Sequence, residues 1–414
     1  MRYLSFFGLL FFINTVAVAQ PYAVENGHTR HRFAQLELGF SQYFSNQSGK
    51  TQIASGEDVL DYNYGRSTTT AFFIGGTHFW GHCDFALTIP LKTFGSGMRY
   101  AIDLQAKYYP WAIRKNKLRP YVGISMNPFG YGQNDGPLID KTYYPLLAGL
   151  NFTKKNHQFE LGALYNYNNK FDYPIDRTRM GQASIQPFIF NATYKFTLET
   201  TGGAERGWRD GTTAKRTRAL AEAGQLNGFS VAIGPTSTFR VKKSAYLEKN
   251  YPFAGQHSYN AALEYGLGYY WHKPDVQANV AYRRFKSEID AYDYTQTARR
   301  RALSVEVFKF LGDYHGFCPF VGPNLSYEQL RVQESDFGLD KGVHTFKGWK
   351  PGLTFGWDIR PDRLQSWVLR TNLRWHPRLD VTMSDGPKNS LDQLEFNFIQ
   401  LVVYPERMFG KKKL

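Results

Sequence analysis

One stretch of strict alternation, which occurs twice, most constrains the fold of this chain. In residues 98–108 the even positions are apolar and most of the odd positions are charged or polar. Side chains alternate across a β-strand, so this stretch predicts a strand with one fully apolar face. The next predicted strand begins Pro-Tyr-Val-Gly at 120–123. After a second alternating stretch, 302–307, a similar Pro-Phe-Val-Gly returns at 319–322. These repeats indicate an internal duplication built from strands.

The same alternation continues along most of the chain. Segments of roughly ten residues are separated by turn residues, and we count about sixteen of them between positions 32 and 404. Tight turns, as at 154–156 and 272–275, alternate with longer polar loops, as at 44–67 and 170–182. Short periplasmic turns and longer external loops are typical of membrane barrels, whose termini both lie on the short-turn side. We therefore predict an all-β fold, an antiparallel transmembrane β-barrel of about sixteen strands.

The two ends of the chain carry different signals. Arg2, a short apolar run and Ala17-Val18-Ala19 form the pattern of a secretory signal peptide. A short helix is predicted at 213–223, where the strand rhythm breaks. The predicted organisation is a signal peptide at 1–19, a barrel at 20–404 with pseudo-repeats at 32–198 and 228–404 and a connector at 199–227, and a basic C-terminal tail at 405–414.

The composition excludes several other classes of protein. Beyond residue 20 no run approaches about 18 consecutive apolar residues, so no transmembrane helix is predicted. Aromatic residues make up 17% of the chain although its mean hydropathy is negative, which fits a barrel that shows lipid only at every second residue. The net charge of +15 would suit an anionic partner. For an exported chain that partner is expected to be lipid or solute, not nucleic acid.

Cys83 and Cys318 are too few and too far apart for a disulfide framework. In one ring they would lie several strands apart at about 4.8 Å per strand, whereas a disulfide needs Cα atoms within about 7 Å. We therefore expect two free thiols.

Charged side chains fall on the polar side of strands whose other face is apolar. A Lys or Arg facing lipid at mid-bilayer would cost about 2–4 kcal/mol, so these residues are predicted to face the interior. Their mixed signs favour a salt-bridged interior, and the alternative interpretation is a selectivity lining. Charge changes at the inward Gln105 and Glu264 are expected to be mild, unlike Arg at the outward Leu104 or Leu263. The predicted lumen-lining residues are Glu160, Glu264, Glu306, Glu328, Arg370, Arg374 and Glu395.

No motif carries catalytic or metal chemistry in a convincing context. His78 and His82 would lie about 13 Å apart on one strand face, too far to share one metal ion. Residues of hydrolase type are available but form no compact constellation. They are Asp290, Asp293, His315 and Ser335. We therefore predict no catalytic, cofactor-binding or metal-binding residue, and no cofactor.

With these features the chain resembles Gram-negative outer-membrane β-barrel proteins over nearly all of residues 32–404. Each half is similar in size and layout to small eight-stranded barrels of the OmpA/OmpX type, and Gly-Leu-Asn-Phe at 149–152 matches Gly-Leu-Thr-Phe at 352–355. The resemblance implies a location in the cell outer membrane. It also implies outer-membrane lipid, lipopolysaccharide and the barrel-assembly machinery as partners.

The duplication allows two closures, one ring of about sixteen strands or two eight-stranded barrels in tandem. Eight strands enclose an interior that side chains fill, whereas sixteen leave an aqueous channel. Small inward residues such as Gly123, Gly162 and Gly266 favour the single ring, because they would leave a narrow barrel under-filled. The expected function is a structural or passive-transport, porin-like role. The alternatives are an outer-membrane lipid-modifying enzyme and a secreted soluble β-sandwich that binds a ligand.

Overall fold

The computed structural model describes most of the chain. The described residues are 22–25, 28–31, 35–46, 49–55, 58–78, 81–95, 99–100, 102–113, 116–131, 139–184, 186–199, 212–240, 244–254, 258–259, 262–313, 316–360, 364–383 and 388–409. The predicted signal peptide lies outside them, as do residues 200–211 of the predicted connector. In the described part, no helix has both the length and the apolar character needed to cross a membrane.

The described residues are mainly β-strand, as the alternation predicts. The strands of the first half are β1 (Tyr22–Glu25), β2 (His28–His31), β3 (Gln35–Ser45), β4 (Gly49–Ser55), β5 (Asp58–Tyr64), β6 (Ser67–His78), β7 (Cys83–Gly95), β8 (Arg99–Tyr100), β9 (Asp103–Tyr108), β10 (Lys117–Tyr131), β11 (Ile139–Tyr143), β12 (Leu146–Lys154), β13 (His157–Tyr165), β14 (Lys170–Pro174), β15 (Met180–Ser184) and β16 (Phe188–Glu199). Helix α1 (Thr212–Glu222) follows. The second half comprises β17 (Gly228–Arg240), α2 (Ala245–Asn250), β18 (Ser258–Tyr259), β19 (Ala262–Trp271), β20 (Val276–Ala291), β21 (Tyr294–Phe310), β22 (Phe317–Asp336), β23 (Leu339–Ile359), β24 (Trp367–Thr382), β25 (Lys388–Val403) and α3 (Pro405–Phe409).

The first half closes into a barrel of its own. Its wall follows the order β3, β6, β7, β9, β10, β12, β13 and β16, with every pair antiparallel. Strand β16 then returns to β3, where Phe190 faces Phe44 and Glu199 faces Gln35. The hairpins β4–β5 and β14–β15 lie beyond the ring on its loop side. Eight wall strands therefore complete a ring before the second half begins.

The second half closes in the same way. Its wall runs β17, β19, β20, β21, β22, β23, β24 and β25, and β25 pairs back with β17. The expectation of a single ring is therefore wrong, and the strands form two tandem barrels of eight. The two cysteines are free, as expected, but they lie in different barrels, Cys83 on β7 and Cys318 on β22.

The single-ring expectation was wrong because several small inward residues leave room for large inward side chains and do not line a water-filled channel. A Cβ built on Gly162 would lie 2.3 Å from the hydroxyl of Tyr121, and one on Gly149 would lie 2.5 Å from the same oxygen. In the second barrel, a Cβ on Gly268 would lie 2.1 Å from the Asn279 side chain. Each glycine therefore gives space to a bulky polar or aromatic side chain that fills the narrow interior.

Alternation sorts each wall strand into two faces of opposite character. Leu263 is 54% exposed, whereas the next residue, Glu264, is 1% exposed. The same contrast separates Leu161 from Glu160 in the first barrel. Both barrels thus carry large apolar side chains on the outside and polar ones within. Outward apolar residues exposed by more than a third include Phe40, Leu118, Val122, Leu150, Phe159, Phe190, Phe229, Val231, Tyr265, Leu267, Val280, Leu303, Val305, Leu325, Leu353 and Phe355.

The loop-side connections differ between the two barrels. The first barrel has the expected longer connections on this side. In the second barrel, β20–β21 and β22–β23 are joined there by two residues each, at 292–293 and 337–338. Tyr292 and Asp293 both have positive φ, 48° and 62°, as tight hairpin turns of the right twist require. The strands themselves extend outward in place of loops.

The two barrels contact each other at the membrane level. Phe85 on β7 stacks on Trp357 on β23, with ring centroids 6.4 Å apart. Leu87, on the same outward face as Phe85, is only 6% exposed. On the loop side, the Tyr292 hydroxyl donates to the carbonyl oxygen of Ile175 at 2.6 Å.

Candidate functional site: the charged barrel interiors

A lysine crosses the interior of the first barrel. Lys195, on β16, is fully buried, and its Nζ donates to Glu37 Oε2 at 2.9 Å and to Asp84 Oδ2 at 2.6 Å. The same Nζ lies 2.8 Å from Glu160 Oε1. These three carboxylates come from β3, β7 and β13, so one side chain ties together strands on different sides of the ring.

Glu160 is the second centre of this network. It accepts from Lys107 Nζ at 2.6 Å, from the Tyr109 hydroxyl at 2.9 Å and from Asn151 Nδ2 at 2.9 Å. The other oxygen of Glu37, Oε1, accepts from Thr77 and from Gln158. Carboxylates outnumber lysines in this layer, and neutral donors supply further hydrogen bonds to Glu37 and Glu160, whereas Asp84 Oδ1 has no hydrogen-bond partner among the described residues.

Arginines play the corresponding part in the second barrel. Arg374 on β24 reaches Glu264 on β19 with two bonds, at 2.6 and 2.8 Å. Its Nε also donates to Glu306 on β21. One planar guanidinium thus bridges two carboxylates across the lumen, and its fork geometry allows the bidentate bond to Glu264 that a lysine ammonium cannot form.

Two further ion-pair groups lie beside Arg374. Arg370 donates to both oxygens of Asp358, at 2.7 and 2.8 Å, and to Gln277 at 2.8 Å. Arg300 holds Glu328 through two bonds of 2.6 Å. Glu395 lies 2.5 Å from Arg300 and 2.8 Å from Arg283.

Apolar layers cover this charged layer on both sides in the second barrel. Toward the short-turn side, Phe308 stacks on Phe320 with centroids 4.2 Å apart. Toward the loop side, Tyr251 stacks on Tyr294 at 3.9 Å, and Leu247 of α2 is fully buried. Helix α2 therefore packs into the outer end of the barrel.

One cluster has the composition of a metal site. Ligand atoms of Glu328, His376 and Glu395 lie within 4.8 Å of one another, and all three residues are buried. Both carboxylates already face guanidinium groups, from Arg283 and Arg300. A divalent cation there would meet these two positive charges at close range. The donor set therefore fits an ion-pair network better than a metal site.

The structure places all seven predicted lumen residues inside the barrels, but in two groups. Glu160 lies in the first barrel and the other six lie in the second. Sequence reasoning missed several partners of these residues although each has the inward phase of its strand. The missed partners are Glu37, Asp84, Lys107, Lys195, Arg283, Arg300 and Asp358. The sequence could have identified these partners as charged residues at the inward positions, every second residue, of strands whose other face is apolar.

Residues of hydrolase type do not assemble into a site in the described part of the chain. Asp290 and Asp293 lie at the outer end of the β20–β21 hairpin, and no hydrogen bond joins the side chains of either to Ser335. His315 lies outside the described residues, and so do residues 79–80 between His78 and His82. His82 Nδ1 donates to the backbone carbonyl oxygen of Tyr109 at 2.7 Å, in a structural contact.

Comparisons with known proteins find similarity of fold only. No protein-family model matches the chain, and no curated protein matches it. Solved structures similar to it include Neisserial surface protein A (12% identity, TM-score 0.26), Ail, the attachment invasion locus protein of Yersinia pestis, in complex with the heparin analogue sucrose octasulfate (13%, 0.28), and the outer membrane protein OprG from Pseudomonas aeruginosa (11%, 0.25). Each similarity covers 43% of this chain and 97%, 97% and 92% of the other chain, respectively. These identities and TM-scores are too low to transfer a function.

The class of protein follows from the chain's own geometry. Closed antiparallel barrels leave no unpaired strand edge in the wall, which is the condition for crossing a bilayer with strands. Their exteriors are apolar and their interiors polar, the reverse of a soluble protein. The chain is an outer-membrane β-barrel protein with two barrels in tandem.

Proposed function

We propose that this protein has a structural role in the outer membrane and does not conduct solutes. The observation that carries the proposal is the closed interior. Lys195 is 0% exposed and Arg374 is 1% exposed, although both lie at the centre of a barrel. In a water-filled pore, wall side chains would remain accessible to water. Eight-stranded barrels are typically filled in this way.

Cross-lumen ion pairs also support rigidity as the role of the interior. A buried ion-pair network resists deformation, because removing one partner leaves an uncompensated charge in a site without water. The mixed signs within each layer would give no consistent preference for cations or anions. This distribution favours a salt-bridged scaffold over a selectivity lining.

The decisive experiment is conductance in planar lipid bilayers together with a barrier assay in cells. The purified full chain is expected to insert without discrete conductance steps. Cells that lack it are expected to become more sensitive to bile salts and large antibiotics, and the wild-type chain should restore resistance. Reproducible conductance steps would instead support the passive-transport alternative.

A double variant, Glu264→Ala with Arg374→Ala, serves as a matched control for the filled interior. It removes the bidentate pair and the bond from Arg374 to Glu306, and it leaves the apolar layers around Phe308 and Leu247 in place. It should remain non-conducting while losing stability. A variant that conducts would show that the charged layer alone blocks the lumen.

A further inference from the structure

On the outer wall of strands β20 to β23, the exposed side chains change from aromatic to cationic toward the loop side. One row of facing residues runs from Tyr282 through Leu303 and Tyr327 to Trp349. The rings of Tyr327 and Trp349 lie 5.3 Å apart. Aromatic side chains of this kind are enriched where a barrel wall leaves the hydrocarbon. This row therefore marks the interface on the loop side.

Two rows of cations lie directly above this aromatic row. In the lower one, Arg284 faces Arg301, and Lys347 continues the row on β23. In the upper one, Arg299 faces Arg331. All five side chains are exposed. We call these five residues the cationic patch.

The cationic patch is not neutralised by the protein itself. Like charges directly opposite each other on antiparallel strands are destabilising. Among the described residues, no carboxylate forms an ion pair with the patch. Glu288, on the same outward face of β20, pairs with Lys286 at 2.9 Å. An anion from outside the chain would relieve the repulsion between the facing arginines.

Two adjoining grooves lie on the outer wall at the patch. The first has a volume of about 280 Å³ and is lined by all five residues of the patch. The second has a volume of about 620 Å³ and adds an apolar lining, Leu263, Tyr265 and Tyr282. Both grooves include Arg284 and Arg299. The combined surface is cationic on strands β20 to β23 and apolar at Leu263 on the neighbouring β19, with Tyr265 and Tyr282 in the aromatic row below.

We propose that the cationic patch binds the phosphate groups of a glycolipid in the outer leaflet, with an acyl chain along the groove of Leu263 and Tyr265. Guanidinium groups bind phosphate through paired, charge-assisted hydrogen bonds. A lipid is the better occupant than a soluble polyanion, because the patch lies directly on the aromatic row and shares its arginines with the apolar groove. The inference rests on the structural role proposed above and names its lipid partner.

Lipid retention by the full chain tests this proposal. The protein, folded in neutral detergent, is titrated with bisphosphorylated lipid A, its dephosphorylated form and inorganic phosphate, and bound molecules are counted by native mass spectrometry. The bisphosphorylated lipid should remain bound. The variant Arg284→Gln/Arg301→Gln should bind it about tenfold or more weakly, because each basic residue near an anionic surface contributes appreciably.

The matched control removes two cations from the opposite end of the barrels. Lys154→Gln/Lys273→Gln alters exposed lysines next to short turns, and it should bind the lipid as the wild type does. Heat-modifiable migration on gels confirms folding of every variant. Equal binding by the two double variants, or equal binding of the dephosphorylated lipid, would overturn the proposal.

Three further outcomes distinguish the lipid site from a soluble-anion site and from the structural role. If only inorganic phosphate binds and depends on the patch, a soluble anion replaces the lipid and the assignment is wrong. Conductance by the wild-type protein would refute the structural role without changing the lipid result. Failure of the lipid assay in a non-conducting protein would refute only the lipid site.

Discussion

Arg177 of the first barrel forms an ion pair with Asp336 of the second. The arginine lies beyond β14, in the connection of hairpin β14–β15, and the aspartate ends β22. The guanidinium also lies over the ring of Phe337, 3.9 Å from its centroid, and over that of Phe253 at 4.8 Å. We call Arg177, Asp336 and Phe337 the outer latch. With the Phe85–Trp357 stack it holds the two barrels together at two heights.

Arg177→Ala should loosen the outer latch without unfolding either barrel. The ion pair is partly exposed, so its loss together with that of the ring contact should cost about 1 kcal/mol. Spin labels at the exposed positions Met180 and Leu339, in a cysteine-free background, would report the distance between the barrels by pulsed electron paramagnetic resonance. The distribution should broaden. Arg177→Lys should broaden it less, and an unchanged distribution in the alanine variant would contradict the latch.

The outer latch should withstand mild acid and open only in strong acid. Partial burial would raise the pKa of Asp336, but hydrogen bonds from Arg177 and Lys341 outweigh it and place that pKa below its usual 3.8. A carboxyl with a lowered pKa stabilises the folded contact above its unfolded pKa, and this contribution is lost as the pH falls through the folded value. The spin-label distances should therefore stay constant from about pH 8 to 5 and broaden below about pH 3.8. Asp336→Asn should remove this pH dependence.

Glu264→Gln should be strongly destabilising, contrary to the mild effect that alternation alone suggests. The change breaks the bidentate bond to Arg374 and leaves part of a buried guanidinium charge uncompensated, at a cost of about 3 kcal/mol. Leu263→Arg should cost only about 0–1 kcal/mol, because the strand register puts Leu263 beside Arg284, beyond the aromatic row where the wall leaves the hydrocarbon. Urea unfolding in lipid vesicles, followed by tryptophan fluorescence, measures both. Leu263→Ile is the control, and a loss below about 0.5 kcal/mol for Glu264→Gln would contradict the network.

Gly162→Ala should destabilise the first barrel because the added Cβ atom would collide with a neighbouring side chain. Its Cβ would lie 2.3 Å from the hydroxyl oxygen of Tyr121, so the side chains must shift at a cost of about 1–3 kcal/mol. Tyr121→Phe removes that oxygen and should recover much of the loss in the double variant. A double-mutant cycle on unfolding free energies measures the coupling. Additive effects would show that the two residues do not share this space.

Strand positions and face assignments were predictable because both depend on local pattern. The alternation that puts Leu104 outward and Gln105 inward is readable in any eleven-residue window. The same holds for the inward phase of Glu160 and Arg374. The pairing of these charges was not predictable, because Arg374 meets Glu264 across the lumen and not along the chain.

Ring closure was not predictable from local pattern. The free edge of β3 can in principle pair with β16 or with β25, and alternation is the same for both. Small inward residues pointed to a wide ring only because they were considered without the large ones. Once Tyr121 is placed in this interior, Gly149 and Gly162 provide the space that its ring and hydroxyl fill.

The pairing of β3 with β16 closes the first barrel. It therefore sets the sequence separation of the residues that make the closing contacts. Ser41 bonds to Thr193, 152 residues away, and Thr236 bonds to the backbone of Phe396 across 160 residues in the second barrel. In a single ring, one edge of β3 would stay unpaired until β25 had been synthesised and inserted. Because each barrel closes on its own pair of strands, all wall strands of the first barrel are present before β17 is synthesised or inserted. The strand that completes it is internal to the chain, so assembly must be able to finish a barrel on a strand that is not the last.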